Sequence, residues 1–344
     1  MKAILLIPDH GSRFHLGETS LDDTSDLLHA DTLFSALTTV YALAFDSGAQ
    51  RFIGFVRSGK LRFSSGLYAV RSFSAAGPNG AWKLFFPKPL VNYPETCDAR
   101  RLKKIRYVSG AVLKAMNVQW DGENCFTDFN VLDCPSVGGE FIFHRDELND
   151  FGVSPDGLSF RHVVTAPKVK VHTTDDKDRL YHVTSVQFND IQCGVSRLRG
   201  AYCVLLHSEL LPEEEKELMV AFRILADEGV GGERSSGCGQ FRTVEMTDIG
   251  LPEAPPDPSC HLVLSPVSPA DDAEFQQMHR YELFVRGGGS AGLHADPETV
   301  RKQARFIREG AVSRRPIDGR LLDISPQKDE RILRYGMNFS ISLA

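Results

Sequence analysis

The segment that decides the fold is Pro212–Met246, PEEEKELMVAFRILADEGVGGERSSGCGQFRTVEM, in which the pattern of a helix gives way to a loop and then a strand. Pro212 suits the first position of a helix, and the glutamates after it suit the positive end of the helix dipole. Apolar residues then recur with a helical period up to Gly229, which predicts the helix end. The apolar run Ala201–His207 precedes the helix, and Gln240–Met246 follows the loop. The segment therefore predicts a β-α-β unit.

A second unit of the same order stands at the start of the chain. The short apolar run Ala3–Ile7 predicts a buried strand. Asp31 predicts the N-cap of a helix over residues 32–46, and Gly48 predicts its end. Leu61–Phe63 predicts the second strand. Two such units with an insertion between them predict an α+β fold of the ferredoxin-like, or RRM-like, type.

The insertion covers about residues 66–200 and lacks a long helical period, which predicts loops and hairpins. Inside it, Lys168–His172 alternates with a period of two, so Lys168, Lys170 and His172 share one face of a strand. Tyr181–Phe188 predicts the partner strand, across the polar turn Thr173–Arg179.

The chain of 344 residues is long enough for two domains. We predict a first domain over residues 1–250, a proline-rich linker over residues 251–259 and a smaller α+β domain over residues 260–344. The elements predicted in the second domain are strands at His261–Ser265, Tyr281–Arg286, Leu321–Ile324 and Arg334–Leu343, and a short helix at Arg301–Arg308.

The net charge of −6 hides a strong segregation of charge along the chain. Residues 51–110 contain twelve Lys or Arg and two acids, whereas residues 111–160 contain two and nine. A local basic field attracts a polyanion whatever the total charge, although two solvated faces of opposite sign would give the same pattern. Aromatic residues interleave with the basic ones, as in surfaces that bind single-stranded nucleic acid. The members of this basic–aromatic block are Arg51, Phe52, Arg57, Arg62, Phe63, Tyr68, Arg71, Trp82, Lys83, Arg101, Lys103, Lys104, Arg106 and Tyr107.

The seven cysteines form no C-x-x-C pair, which indicates neither a zinc ribbon nor a disulfide framework. We therefore expect reduced thiols and a cytoplasmic protein. The run Ala3–Ile7 is too short for the core of a signal peptide or for a membrane span. No metal and no cofactor are expected. The acids Asp22, Asp23, Asp26 and Asp31 predict a solvated loop and a helix cap rather than a metal site.

The loop Gly229–Gly239 fits neither common phosphate-binding motif. It lacks the lysine of a Walker loop, and its order of helix, loop and strand is the reverse of a dinucleotide fingerprint. What remains is a backbone that can approach a chain of phosphates closely, with Arg234, Ser235 and Ser236 inside it. A glycine-rich turn that packs tightly on a sheet would have the same composition.

The loop also resembles the C-terminal glycine-rich loop of RAMP proteins, the RRM-like RNA-binding proteins of CRISPR systems. Further segments resemble, in order, the fourth subunit of type III-A Csm effector complexes, with Ala30 where serine is usual and His172 where an acid is common. These segments are Phe14–Glu18, His29–Leu37, Ala166–His172, Tyr281–Gly288, Phe306–Val312 and Arg334–Gly336.

The resemblance implies a subunit that binds the repeat-derived 5′ tag of CRISPR RNA and contacts the large Cas-ten-type subunit and a backbone RAMP subunit. It also implies no nuclease activity. RNA binding by phosphate contacts and base stacking on an RRM-like sheet agrees with the basic–aromatic block. The residues predicted to bind RNA are Gly231, Gly232, Arg234, Ser235, Ser236, Gly237, Gly239, Lys168, Lys170, His172, His15, His29 and Arg286.

Two other functions remain open from the sequence. RAMP proteins that cleave RNA without a metal use general acid–base chemistry, and His15 and His29 flank the loop before the first helix. No partner for either histidine is readable from spacing. The chain could therefore be an endoribonuclease that processes precursor CRISPR RNA, or a purely architectural subunit without RNA contact.

Overall fold

The computed structural model describes residues 1–17, 21–74, 77–149, 151, 159–170, 179–193, 196–252, 258, 260–287, 302–326 and 332–343. The α-helices in these ranges are α1 (Ala30–Ala44), α2 (Gly48–Arg57), α3 (Ala99–Lys104), α4 (Gly110–Ala115), α5 (Arg145–Asn149), α6 (Pro212–Glu228) and α7 (Asp272–Phe275). The strands up to the second long helix are β1 (Lys2–Ile7), β2 (Arg13–Phe14), β3 (Leu61–Phe63), β4 (Leu67–Ser74), β5 (Gly77–Pro87), β6 (Tyr107–Ser109), β7 (Gln119–Trp120), β8 (Cys125–Phe126), β9 (Ser136–Val137), β10 (Phe141–Ile142), β11 (Arg161–Lys170), β12 (Arg179–Phe188), β13 (Ile191–Cys193) and β14 (Ser196–Ser208). The later strands are β15 (Thr243–Asp248), β16 (His261–Val263), β17 (Met278–Arg280), β18 (Leu283–Arg286), β19 (Ala304–Ile307), β20 (Val312–Ser313), β21 (Leu322–Asp323), β22 (Leu333–Arg334) and β23 (Ser340–Ser342).

The fold is a mixed one of α-helices and β-sheets, built on a sheet with the strand order β15-β1-β14-β4-β5-β6-β10-β9. The predicted first strand lies inside this sheet, where β1 pairs antiparallel with both β14 and β15. Strand β3 also pairs with β14, on the edge opposite β1 and beyond the point where β4 ends its pairing. The hairpin β4–β5 extends the sheet, so the first residues of the insertion belong to the central sheet and do not form a separate structure.

The first helix differs from its prediction at both ends. Helix α1 begins at Ala30 with His29 at the N-cap, and Asp31 lies buried in the first turn, bound to an arginine instead of capping the helix. Gly48 does not end the helical region, because it begins α2, a helix that the sequence pattern did not predict. Ser47, at φ +52°, makes the left-handed turn between the two helices.

The second long helix and the hairpin in the insertion confirm their predictions. Helix α6 begins at Pro212 and ends before Gly229, whose φ is +82°. The strand after the loop runs over Thr243–Asp248, a few residues later than predicted. Strands β11 and β12 pair in register from Arg161↔Phe188 to Lys170↔Arg179. Strand β2 pairs with β12, so this hairpin lies against the start of the chain.

The C-terminal part contains short strands, and two predictions there are wrong. The strand predicted over Arg334–Leu343 is two short strands, β22 and β23, which belong to different sheets. The expected helix over Arg301–Arg308 is instead the strand β19, which pairs antiparallel with β18. A stretch this short carries too little periodicity to separate a helix from a strand, and the partner strand decided it. Most of the predicted linker lies outside the described residues.

The two faces of the central sheet bury two apolar clusters. Because side chains alternate along a strand, Ile4 and Leu6 enter one cluster while Ala3 and Leu5 enter the other. The C-terminal part contributes to both, through side chains such as that of Tyr335 in the first cluster. In the second cluster its contributions include Leu262, Leu264, Phe339 and Ile341.

A disulfide between Cys125 and Cys260 corrects the expectation of reduced thiols for this pair. The two residues are 135 positions apart, and their Cα atoms are 6.9 Å apart. No short spacing in the sequence signals the pair, since only the packing of the insertion against the C-terminal part brings the two cysteines together. The free cysteines among the described residues are Cys97, Cys134, Cys203 and Cys238. Within the described ranges, no helix combines the length and the apolar character needed to cross a membrane.

Candidate nucleic-acid interface

The glycine-rich loop packs directly against the segment that contains β2. A Cβ atom on Gly231 would lie 2.4 Å from the carbonyl oxygen of His15, and one on Gly239 would lie 2.3 Å from that of Val230. Both glycines have φ +89°, a conformation that other residues rarely adopt. The Gly232 amide donates to the His15 carbonyl over 2.8 Å. These glycines are therefore needed for a close crossing of two backbones.

The side chain of His15 helps to hold the two backbones together where they cross. Its imidazole is 4% exposed, and its Nδ1 atom lies 2.8 Å from the carbonyl oxygen of Thr184 on β12. The ring also packs against Gly232, where an added Cβ would lie 2.7 Å from it. His15 thus ties the loop to the β11–β12 hairpin, and its ring is not presented to solvent as a predicted RNA contact would require.

Lys168 joins the hairpin to the same loop. Its Nζ atom donates to Glu233 Oε2 over 2.6 Å and to Ser236 Oγ over 3.0 Å. The hydrogen bond with Glu233 raises the pKa of Lys168, and the same bond lowers the pKa of Glu233. The structure therefore brings Lys168 together with the glycine loop, as the predicted site requires.

The other residues of this region that were predicted to bind RNA lie on the loop turn, on β11 or outside the described residues. Arg234, Ser235, Ser236 and Gly237 lie at the exposed turn of the loop. Lys170 lies on β11, and His172 lies outside the described residues.

A cleft of about 840 Å³ forms a second candidate surface. Its walls come from the segment before α1, the end of β5, the residues around α3 and the β18–β19 hairpin. Two of the lining cations, Arg161 and Arg286, pair with acids outside the lining, Glu140 and Asp31. The charged residues of the lining are Lys88, Lys103, Arg106, Arg161, Arg286 and Arg308 with Asp23, Asp26, Glu282 and Glu309. Four exposed cations of α3 stand at or beside this cleft: Arg100, Arg101, Lys103 and Lys104.

His29 lies in this cleft with partners that the sequence did not reveal. Its Nδ1 atom is 2.7 Å from Glu309 Oε1, and its Nε2 atom is 2.9 Å from Ser25 Oγ. Burial alone would raise the pKa of Glu309, but His29 and the hydroxyl of Ser65 outweigh it and lower the pKa. Because 280 residues separate His29 from Glu309, no local pattern could have found the pair.

Arg286 is committed inside the protein, which argues against its predicted role in RNA binding. Its guanidinium forms two hydrogen bonds of 2.9 Å with the carboxylate of Asp31, and Arg334 lies 3.5 Å from the same carboxylate. Asp31 and Arg286 are 2% and 4% exposed. The arginine neutralises a buried carboxylate, so its guanidinium is not presented to an RNA phosphate.

The aromatic residues of the basic–aromatic block are buried, which corrects the expectation that they stack on RNA bases. Phe52, Phe63 and Tyr68 are at most 1% exposed, and Trp82 and Tyr107 are at most 9% exposed. They belong to the apolar clusters and offer no stacking platform on the surface. Phe52 is buried on helix α2, and the other four are buried on strands, whose alternation has the same period as that of an RNA-binding strand.

The donors of a metal site are not gathered in the described part of the chain. It contains no group of three or more His, Cys, Asp or Glu side chains placed to hold a metal ion. Of the acids near the first helix, Asp26 instead accepts from the Tyr107 hydroxyl over 2.5 Å and forms an ion pair with Arg106, at 2.9 Å.

Comparison with known families and proteins gives consistent matches. Residues 257–343 match the family model described as the CRISPR Csm4 C-terminal domain. The CRISPR system Cms protein Csm4 of Methanocaldococcus jannaschii is 25% identical, over 96% of this chain and 90% of that protein. The protein of the same name from Mycobacterium tuberculosis strain H37Rv is 24% identical, over 96% and 95%.

Two solved structures of Csm subcomplexes contain chains with a similar fold. A chain of the Csm3–Csm4 subcomplex in the type III-A CRISPR-Cas interference complex has a TM-score of 0.65 at 17% identity, covering all of both chains. A chain of the Csm1–Csm4 cassette in complex with cA4 has a TM-score of 0.54 at 17% identity, covering 100% of this chain and 97% of that one. At this identity the two likenesses concern the fold.

Proposed function

We propose that the chain belongs to the Csm4 family and is a non-catalytic RNA-binding subunit of a type III-A CRISPR–Cas effector complex. In this proposal it binds the repeat-derived 5′ tag of CRISPR RNA in antiviral defence in the cytoplasm. The observation that carries the proposal is the meeting of three motif segments at one place. The glycine-rich loop, Lys168 and the segment around His15 are far apart in sequence, yet they contact one another directly.

The exposed cations of this place and of the cleft support a polyanionic ligand. Arg234 and the hydroxyls of Ser235 and Ser236 are exposed at the loop turn, and phosphate oxygens accept from such donors. Helix α3 contains four exposed basic side chains, of which Lys103 lines the cleft. Since the aromatic residues of the block are buried, we expect phosphate contacts to outweigh base stacking on this chain.

The architecture is compatible with the ferredoxin-like unit that the resemblance implies. The strand order β15-β1-β14-β3, with α1 and α6 as the two connecting helices, matches a β-α-β/β-α-β arrangement. We propose that the boundary between this unit and the C-terminal unit lies near residue 250. We also propose a backbone subunit like Csm3 and a large subunit like Csm1 as partners, since the similar solved structures contain those pairs.

Two measurements test the RNA-binding proposal. Purified complexes with guides that contain or lack the tag should differ in crosslinking at Arg234 or Lys168, and equal crosslinking would refute tag recognition.

Charge reversal of the four α3 cations should weaken RNA binding. It should also make the plot of log affinity against log salt concentration shallower, by about one in slope for each phosphate that the variant no longer neutralises. Reversal of Lys216 and Arg223, exposed cations on α6, is the matched control and should change neither the affinity nor the slope.

One observation favours the endoribonuclease as a second candidate. The imidazole of His29 lies between Glu309 and the Ser25 hydroxyl, in a cleft that could admit RNA. A carboxylate that orients a histidine is the arrangement of a general base. If the chain is a nuclease, it should cleave a precursor repeat hairpin in EDTA, and His29→Ala should abolish cleavage while His15→Ala tests the other histidine. The absence of any product with the intact protein would leave RNA binding as the function.

A further inference from the structure

Glu233 holds an unusual backbone conformation at the tip of the glycine-rich loop. Its φ is +58°, in the left-handed region that side chains other than glycine rarely adopt. In the described part of the chain, only Ser47 and Asn117 share this property among residues other than glycine. Glycine would relieve the strain, so the glutamate at this position needs interactions that hold it there.

The carbonyl oxygen of Glu233 accepts from the Ser236 and Cys238 amides over 3.0 and 3.3 Å, and the side chain of Glu233 is held by two further donors. Glu233 Oε2 accepts from Lys168 Nζ over 2.6 Å and from Ser236 Oγ over 2.9 Å. The lysine and the serine are themselves 3.0 Å apart. An ammonium group and a hydroxyl around one anionic oxygen form a donor set that proteins use for phosphate. The chain's own carboxylate therefore occupies an anion site.

The site is accessible to an anion from outside. The side chains of Lys168 and Glu233 are 27% and 19% exposed. Gly237 follows the turn, and a Cβ there would meet no other atom within 4 Å, so the space beside the turn is open. Arg234 next to Glu233 is exposed and could receive a second, neighbouring anionic group.

We infer that Glu233 is an internal substitute for an RNA phosphate, which the incoming RNA backbone displaces from Lys168 and Ser236. The inference rests on the proposed function, because it takes RNA as the anion. A chain of phosphates fits better than a single carboxylate of a partner protein, since the exposed Arg234 follows Glu233 directly and offers a second cation. The contact with Glu233 would keep Lys168 ordered and neutralised until RNA arrives, and weaker anions would be excluded.

The first test compares two variants of the full-length chain that each remove one negative charge. Glu233→Gln should raise the affinity for a short, labelled single-stranded RNA by about threefold to tenfold, because the competing ion pair is gone. Glu228→Gln removes an exposed charge at the end of α6, beside the loop, and should change the affinity much less. An equal gain in both variants would mean general electrostatics, and a weaker affinity in Glu233→Gln would mean that the carboxylate organises the site. Either result overturns the inference.

A double-mutant cycle then locates the effect. If Glu233 acts by occupying Lys168, Glu233→Gln should give no gain in a Lys168→Met background. A gain that persists without Lys168 would overturn the inference. Thermal unfolding of each variant shows whether the protein is folded before its affinity is interpreted.

A second measurement uses the unmodified protein. Carbodiimide labelling of carboxylates, read by mass spectrometry, should increase at Glu233 when the RNA is added, because the displaced carboxylate becomes exposed. Ordinary shielding by bound RNA would lower the labelling, and unchanged or lower labelling with RNA bound overturns the inference. If the chain and its complex bind no RNA at all, the proposed function fails; if RNA binds but Glu233 does not respond, only this inference fails.

Discussion

Asp31 is a carboxylate buried among apolar side chains, 2% exposed and held between two guanidinium groups. Its position before an apolar helical pattern predicts a cap, because aspartate is a favoured N-cap residue. The structure uses it differently, since Arg286 and Arg334 arrive from more than 250 residues away. At the residue scale, Asp31 does not act as the N-cap that its position favours, because its buried charge is neutralised by the two arginines.

Asp31→Asn should destabilise the protein by about 3–5 kcal/mol, because it leaves buried guanidinium charge without its partner. Urea-induced unfolding measures the change. The matched control is Asp318→Asn, which breaks the exposed ion pair with Arg62 and should cost at most about 1 kcal/mol. Similar destabilisation in the two variants would contradict a special role for the buried triad.

The protein should also lose stability in acid through Asp31 and Glu309. Burial alone would raise the pKa of each, but Arg286 and Arg334 lower that of Asp31, and His29 lowers that of Glu309. Groups with a lowered folded-state pKa stabilise the protein above their unfolded values, about 3.9 for Asp and 4.3 for Glu. That stability is lost as the pH falls through the folded values. The unfolding free energy of Asp31→Asn should therefore fall less steeply below about pH 4 than that of the wild type.

At the scale of elements, helix α6 and the loop after it follow closely from the sequence. Pro212, the apolar period and Gly229 mark the helix, and the strand after the loop is displaced by only a few residues. The glycines of the loop were expected to allow close approach to phosphate. In the structure at least two of them serve an approach of backbone to backbone, against His15 and Val230.

Gly231→Ala should therefore destabilise the loop far more than Gly237→Ala. Both glycines have a positive φ, which costs another residue about 1–2 kcal/mol. Only at Gly231 does the added Cβ also meet a backbone oxygen, at 2.4 Å, while the same atom at Gly237 meets nothing within 4 Å. Thermal unfolding and limited proteolysis within the loop measure the difference, and equal effects would contradict a close crossing of the two backbones at Gly231.

At the scale of the whole molecule, residues on both sides of position 250 share the two apolar clusters. Tyr335 is fully buried and stacks on Phe63 with ring centroids 4.5 Å apart, and Leu262 and Leu264 are fully buried in the other cluster. Composition and a proline-rich stretch suggest a boundary near residue 250, which remains a proposal. The shared clusters indicate that the parts on either side of it fold together.

A fragment of residues 1–250 should therefore lack a cooperative unfolding transition. It would expose the apolar surfaces that the C-terminal part covers, and burial of apolar area is the main stabilising contribution to folding. Differential scanning calorimetry and binding of a hydrophobic dye would detect this. A sharp transition near that of the full chain would show instead that the first unit is stable alone.

The sequence by itself determined the elements whose signals are local: the first strand, helix α6, the β11–β12 hairpin and the glycine-rich loop. Each depends on the spacing of residues within one or two turns or strands, where period and turn chemistry act directly. Only the tertiary structure decided the pairs Asp31–Arg286, His29–Glu309 and Cys125–Cys260, and the burial of the aromatic residues among the basic ones. These depend on which distant segments share a core, and a strand's alternation is the same whether its apolar face meets the protein interior or a nucleic acid.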